Sequence, residues 1–146
     1  MVQLSVSRGG VPKLPVLEAQ VTTLGIAGDR QRWKKFHGGP TRALCLFSAE
    51  VIDALRAEGH PIWPGVTGEN VTIAGVPWTT VGPGRRVTLG EVIAEVTVAA
   101  KPCKQIASAF SDRDWRRLAE DRGRARWYAR VVREGTVRPG DPVGVE

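Results

Sequence analysis

The sequence predicts a β-rich domain, mainly β or α+β, folded as a partly closed barrel with about two short helices. Seventeen glycines and ten prolines divide 146 residues into short pieces, which suits strands and turns better than long helices. Several pieces alternate apolar and polar residues with the period of a strand, most plainly Ile93-Ala94-Glu95-Val96-Thr97-Val98. Two segments carry helix patterning with recognisable caps. Partial closure follows because a small open sheet would leave its strand edges unpaired.

In chain order, strands are predicted over Val2 to Val6, Leu17 to Thr22 and Ala43 to Phe47. The first helix is predicted from Ala49 to Glu58. Ser48 is placed to cap it, Glu50 suits the positive helix start, Val51, Ile52 and Leu55 form one apolar stripe, and Gly59 ends it. Strands are next expected over Asn70 to Ile73, Arg86 to Leu89 and Val92 to Val98, the last two joined as a hairpin through the tight turn Gly90-Glu91. The second helix is predicted from Asp112 to Arg122, with Ser111 and Asp114 spaced as a capping box and Gly123 as its stop. Strands over Trp127 to Arg133 and Val143 to Val145 complete the set.

A chain of this length holds one hydrophobic core, and no repeat, low-complexity tract or linker divides it, so a single domain is expected over residues 1–146. Charged residues make up 25% and apolar residues 42%, the composition of a soluble globular protein rather than a disordered one. No run approaches the ~18 apolar residues of a membrane span. The N-terminus lacks the basic and apolar regions of a signal peptide, so the expected location is the cytoplasm, with no membrane partner. Two cysteines are too few for a disulfide framework and are expected to be free thiols.

Cys45 lies among apolar neighbours in Ala43-Leu44-Cys45-Leu46-Phe47 and reads as core packing. Cys103 is different, sitting in Lys101-Pro102-Cys103-Lys104 where a strand gives way to a turn. Flanking lysines favour the thiolate, the form that attacks electrophiles and binds metals. The tetrapeptide alone is equally compatible with a half-buried packing residue.

The net charge of +6 is carried mainly by arginines, in one group at Arg30 and Arg32 with Lys34 and Lys35, and in a second from Arg113 to Arg133. Guanidinium forks suit phosphates, whereas a solvated basic surface is the other reading of the second group. Gly28-Asp29-Arg30 and His37-Gly38-Gly39-Pro40 form a glycine-rich polar loop. Such a loop either brings backbone N–H groups, Arg30 and His37 to an anion or is simply a turn. Gly68-Glu69-Asn70 sets a carboxylate and a carboxamide at a turn–strand junction, where Asn70 either reads a heterocycle edge or closes the turn. His37 and His60 have no neighbours at zinc-ligand spacing, and no Walker, dinucleotide or nucleophile-elbow pattern is present.

Taken in order, Gly28-Asp29-Arg30, His37-Gly38-Gly39-Pro40 with Arg42-Ala43, Gly65 through Thr72, Pro102-Cys103-Lys104, Tyr128-Ala129-Arg130-Val131 and Gly135 to Asp141 resemble a MOSC domain. MOSC denotes the C-terminal domain of molybdenum cofactor sulfurases. The match is to the stand-alone bacterial branch, similar to the YiiM group, and spans essentially the whole chain. The resemblance implies a barrel that binds the molybdenum cofactor (molybdopterin) or carries sulfur for it. Cys103 would be the molybdenum ligand or persulfide carrier and, with His37, the catalytic pair. Lys13, Arg30, His37, Arg42, Glu69, Asn70, Lys101 and Lys104 would bind the cofactor. Related members reduce N-hydroxylated compounds.

The family's full-length sulfurases carry a pyridoxal phosphate-dependent desulfurase domain, for which a chain of this length has no room. No pyridoxal phosphate site is therefore expected here. Sulfur would arrive from a separate cysteine desulfurase, and electrons from a separate electron-transfer protein. A third reading, ranked last, is a basic nucleic-acid-binding barrel using Arg113 to Arg133 with Trp115 and Trp127 as stacking platforms.

Overall fold

Short alternating runs pair into two sheets. The computed structural model describes residues 1–29 and 40–146, and within them eleven strands form. They are β1 (Gln3–Val6), β2 (Leu14–Val16), β3 (Ala19–Thr22), β4 (Gly25–Ile26), β5 (Leu44–Ser48), β6 (Val71–Ile73), β7 (Arg86–Leu89), β8 (Val92–Ala100), β9 (Arg126–Arg133), β10 (Gly135–Val137) and β11 (Val143–Val145). The larger sheet runs β11-β7-β8-β9-β5-β6-β1-β2, and the smaller one β10-β3-β4. Glu134 alone separates β9 from β10, so one continuous stretch of chain passes from the first sheet to the second. The end strands β11 and β2 do not pair with each other, and the barrel stays partly open.

All eight strands expected from sequence appear, with ends moved by up to two residues. The unexpected β2, β4 and β10 are only two or three residues long, too short to show alternation. The hairpin turns through Gly90-Glu91 as anticipated, with Leu89 opposite Val92 and Gly90 at φ 58°. Strands β5 and β6 are the one parallel pair among the described residues, as their connection through a helix requires.

That helix, α1, spans Ala49–Ala57. Ser48 caps it by accepting a hydrogen bond from the Val51 N–H at 3.1 Å, and Ile52 and Leu55 are buried. The helix expected from Asp112 to Arg122 does not form as such. The segment is broken into two 3-10 turns, Trp115–Leu118 and Glu120–Arg122. Arg113 takes a left-handed φ of 62°, and Ala119 is extended. Aspartate side chains compete for the backbone here: Asp112 accepts from the Asp114 N–H at 3.0 Å, and Asp114 from the Arg116 N–H at 3.1 Å. The expected capping box is also absent, because the Ser111 N–H donates to His60 Nδ1 at 3.2 Å. Gly123 ends the segment at φ 75°, as its sequence position predicts.

Two cores result. The main one fills the space between the sheets and includes Leu4, Val21, Leu44, Leu46, Trp127 and Ala129. The second lies on the opposite face of the larger sheet, where Phe47, Ile52, Leu55, Ile106, Phe110 and Leu118 meet. Strand β5 serves both: Leu44 and Leu46 face the main core, while Phe47 faces the second. No helix among the described residues is long and apolar enough to cross a membrane.

Candidate functional site

The period of two that buries Trp127 and Ala129 turns Arg126 and Tyr128 to the other face of β9. Register places Cys45 of β5 opposite Tyr128, and Ala100 of β8 opposite Arg126. Cys45, Ala100 and Tyr128 pack together. With Arg126, they form the floor of a cleft that opens to solvent. One wall is made by Gly10 to Lys13 and Thr67 to Asn70, and the other by Lys101 to Ile106.

A β-bulge brings the second wall into place. Val96 pairs with Ala129 but Ala99 pairs with Trp127, so β8 carries one extra residue between these pairs. The extra residue reverses the alternation. Val92, Ala94 and Val96 face the main core, whereas Ala100 joins the floor of the cleft. Lys101, Pro102 and Cys103 continue from that side. Cys103 is half-buried and extended, at the start of the 3-10 turn Lys104–Ala109. Its carbonyl accepts from the Ile106 N–H at 3.1 Å, and Ile106 anchors the turn in the second core.

The first wall is held by buried polar groups. The Lys13 ammonium donates to both oxygens of Asp29, at 2.6 and 2.7 Å, with both side chains at most 5% exposed. Asn70 donates from Nδ2 to Asp29 Oδ2 at 2.8 Å and to the Ser5 carbonyl at 3.3 Å, and its Oδ1 accepts from the Cys45 N–H at 3.0 Å. Asn70 thus ties together three separate segments. Glu69 is fully buried behind the wall. It accepts from the Gly65 N–H and from the Thr67 hydroxyl at 2.5 Å. Burial raises its pKa, and these two hydrogen bonds and the charge of Arg126 oppose the rise.

Gly65 has a conformational requirement as well as a steric one. Its φ is +89°, and a Cβ there would run into the Lys13 carbonyl oxygen. The Lys13 N–H donates to the Gly65 carbonyl at 2.9 Å, which fastens the two parts of the wall to each other.

Of the residues singled out in the sequence, Lys13, Asn70, Lys101 and Cys103 line one cleft. Glu69 lies behind it. Arg42 sits with its guanidinium 5.3 Å from the centre of the Tyr128 ring. Lys104 is exposed beyond the cleft lining. Arg30 and His37 lie outside the described residues. Among the described residues, no cluster of three or more His, Cys, Asp or Glu side chains could hold a metal ion.

Three floor residues were not anticipated as site residues. Arg126 is 7% exposed rather than part of a solvated basic surface. Its signal was its place in Arg126-Trp127-Tyr128-Ala129, a strand start otherwise free of charge. Tyr128 is buried, and its pKa is raised chiefly by that burial, with the neighbouring Cys45 and Cys103 acting in the same direction. Cys45 is buried as expected but also reaches the cleft. Burial pushes its thiol up to about 11. Trp127 belongs to the main core, and Trp115 packs against the second one.

A half-buried thiol at a strand exit, above a floor holding a buried guanidinium, a phenol and a second thiol, makes this an open-barrel protein with a thiol-bearing cleft. The chain belongs to the MOSC domain family, whose model matches residues 33–144. It is 30% identical over 133 residues to the uncharacterized protein YflK of Bacillus subtilis (strain 168), covering 90% of this chain and 60% of that protein. It is 29% identical over 130 residues to YiiM of Escherichia coli (strain K12), covering 86% of this chain and 58% of that protein. The chain therefore spans about 60% of the length of these curated relatives. The crystal structure of YiiM from Escherichia coli superposes with a TM-score of 0.73 at 25% identity, over 99% of this chain and 67% of that one. A Gibberella moniliformis protein named as a reductase is 30% identical over 129 residues, covering 83% of this chain but 22% of that protein.

Proposed function

We propose that the cleft binds the molybdenum cofactor with the Cys103 thiolate as a metal ligand, and that the loaded protein reduces N-hydroxylated compounds with electrons from a separate donor protein. The observation that carries this reading is the placement of Cys103. Its thiol stands half-buried in a solvent-open cleft lined by cationic and hydrogen-bonding groups. Thiolate is a soft ligand suited to a metal already bound by sulfur.

The residues present fit such a group. Gly68, at φ +89°, lies in the wall, and a Cβ there would press on Val11 Cγ1 at 3.0 Å, so this turn of the wall requires glycine. Lys101 on the rim would meet negative charge, and Asn70, Lys13 and Asp29 would hold the facing wall in place. Tyr128 lies on the floor, where burial raises its pKa and keeps its phenol neutral. When bound, the cofactor would supply a redox-active metal for cleaving the N–O bond. The overall change consumes two electrons and two protons and yields an amine and water.

The test is the molybdenum content of wild-type protein and the Cys103→Ser variant, both purified from a host that makes the cofactor. Molybdenum in the wild type and little in the variant is expected. Equal contents, or none in either, would overturn the ligand assignment.

The partial exposure of Cys103 beside exposed Lys101 and Lys104 supports a second reading, that of a sulfur carrier. The Cys103 thiolate would attack the outer sulfur of a persulfide on a cysteine desulfurase, forming its own persulfide and releasing the donor thiolate. Incubation with a desulfurase and its cysteine substrate should then add the mass of one sulfur at Cys103. No gain, under conditions that load a known carrier, would reject the idea.

The nucleic-acid reading draws less support. Trp127 is buried, and Arg117, Arg124 and Arg130 are paired with Asp112, Glu58 and Glu95.

A further inference from the structure

We propose that Arg126 is an anion receptor in the floor of the cleft and takes a phosphate group of the ligand. Its guanidinium is fixed in plane by two backbone carbonyls: Nη1 donates to Thr67, and Nη2 to Ala100 at 3.5 Å. Nε has no partner. Carbonyl oxygens carry partial charges, so they orient the cation without neutralising it. No described carboxylate lies within ion-pairing distance of Arg126. Glu69 is near enough to feel its charge, but both Glu69 oxygens are taken by Gly65 and Thr67.

A cation withdrawn from water in this way is costly until an anion completes its environment. The planar fork of arginine matches phosphate oxygens. The charges around the cleft favour a dianion. Lys13 is neutralised by Asp29, which leaves Arg126 on the floor and Lys101 on the rim as two cations without a described ion pair. This inference rests on the cleft being the ligand site and is independent of whether Cys103 holds a metal.

The phosphate belongs either to the cofactor or to a phosphorylated substrate, and one experiment separates these sources. Cofactor-free protein is titrated with inorganic phosphate by calorimetry at constant ionic strength. Saturable binding is expected in the wild type. Binding should weaken by about tenfold or more in both Arg126→Gln and Arg126→Lys, because lysine keeps the charge but lacks the fork. Binding that is absent in the wild type, or equal in all three proteins, overturns the proposal.

Should the variants fail to fold, the wild type alone decides. Phosphate should slow iodoacetamide modification of Cys103 several-fold compared with chloride at the same ionic strength, and equal rates overturn the proposal. Titration of cofactor-loaded protein then assigns the source. Lost phosphate binding identifies the cofactor's own phosphate, and retained binding a phosphorylated substrate. Phosphate binding by a chain that never acquires molybdenum would separate failure of the metal reading from failure of this one.

Discussion

Cys45 and Cys103 open onto one cleft, but different surroundings give their sulfurs different chemistry. Cys45 is locked between Tyr128 and Ala100, and burial favours its neutral form. With a pKa of about 11, only about one Cys45 in a thousand is a thiolate at pH 8. Iodoacetamide at pH 8 should therefore modify Cys103 in the folded protein and leave Cys45 untouched until denaturant is added. Mass spectrometry of the peptides reads this directly, and equal labelling would contradict it. The same shift sets a pH dependence of stability. A thiol whose folded pKa lies above its unfolded one stabilises the fold in its protonated form, fully below the ordinary thiol value of 9.0. That contribution, about 2 to 3 kcal/mol, is lost as pH rises through about 11. Urea midpoints of wild type and Cys45→Ala should accordingly converge between those values. Glu69 is held differently, by what it satisfies. Replacing it with alanine strands the buried Gly65 N–H and Thr67 hydroxyl, so Glu69→Ala should lose ~2–4 kcal/mol in urea unfolding. Glu69→Gln, which keeps an acceptor, should lose less.

At the scale of elements, the site depends on two local departures from regularity. One is the bulge in β8, which turns the chain after Val96 so that Ala100 and Cys103 reach the cleft. The strand itself was legible from alternation, but the bulge was not, because the residue pattern changes phase only once and Val98 reads as its natural end. The other is the left-handed turn at Gly65. Gly65→Ala should cost ~2 kcal/mol or more, from the positive φ and from crowding of the Lys13 carbonyl. The loss should appear as a lower thermal midpoint together with faster amide exchange at Lys13. Helix α1 shows the opposite case, where cap, stripe and stop all lie within twelve consecutive residues and sequence is enough. The segment from Asp112 to Arg122 has similar markers, but aspartate side chains claim its backbone N–H groups and Leu118 is drawn into the second core, so 3-10 turns replace the helix.

At the scale of the whole molecule, the β-rich architecture was legible because glycine, proline and alternation are local signals. The cleft was only partly legible, because it is assembled across strands. Lys13, Asn70, Lys101 and Cys103 could be named in advance, but their meeting with Arg126, Tyr128 and Cys45 depends on the order β8-β9-β5-β6 and on its registers. This arrangement also couples the cleft to the second core. Ile106 is buried there, and its N–H holds the Cys103 carbonyl. Removing one methyl group by Ile106→Val should cost only ~0.5–1.5 kcal/mol, small against the ~5–15 kcal/mol of a typical domain. The effect should nevertheless be concentrated locally, since the turn Lys104–Ala109 has few other anchors: Ala107 and Ala109 are small, and Lys104 and Ser108 are exposed. Hydrogen exchange should accelerate at Ile106 and Phe110, with little change at Leu46 or Trp127 in the main core, and Cys103 should become easier to alkylate. Uniform acceleration through both cores would mean that they unfold as one unit and that the cleft wall has no separate stability. Acceleration confined to the turn would identify the second core as the element that holds Cys103 at the cleft.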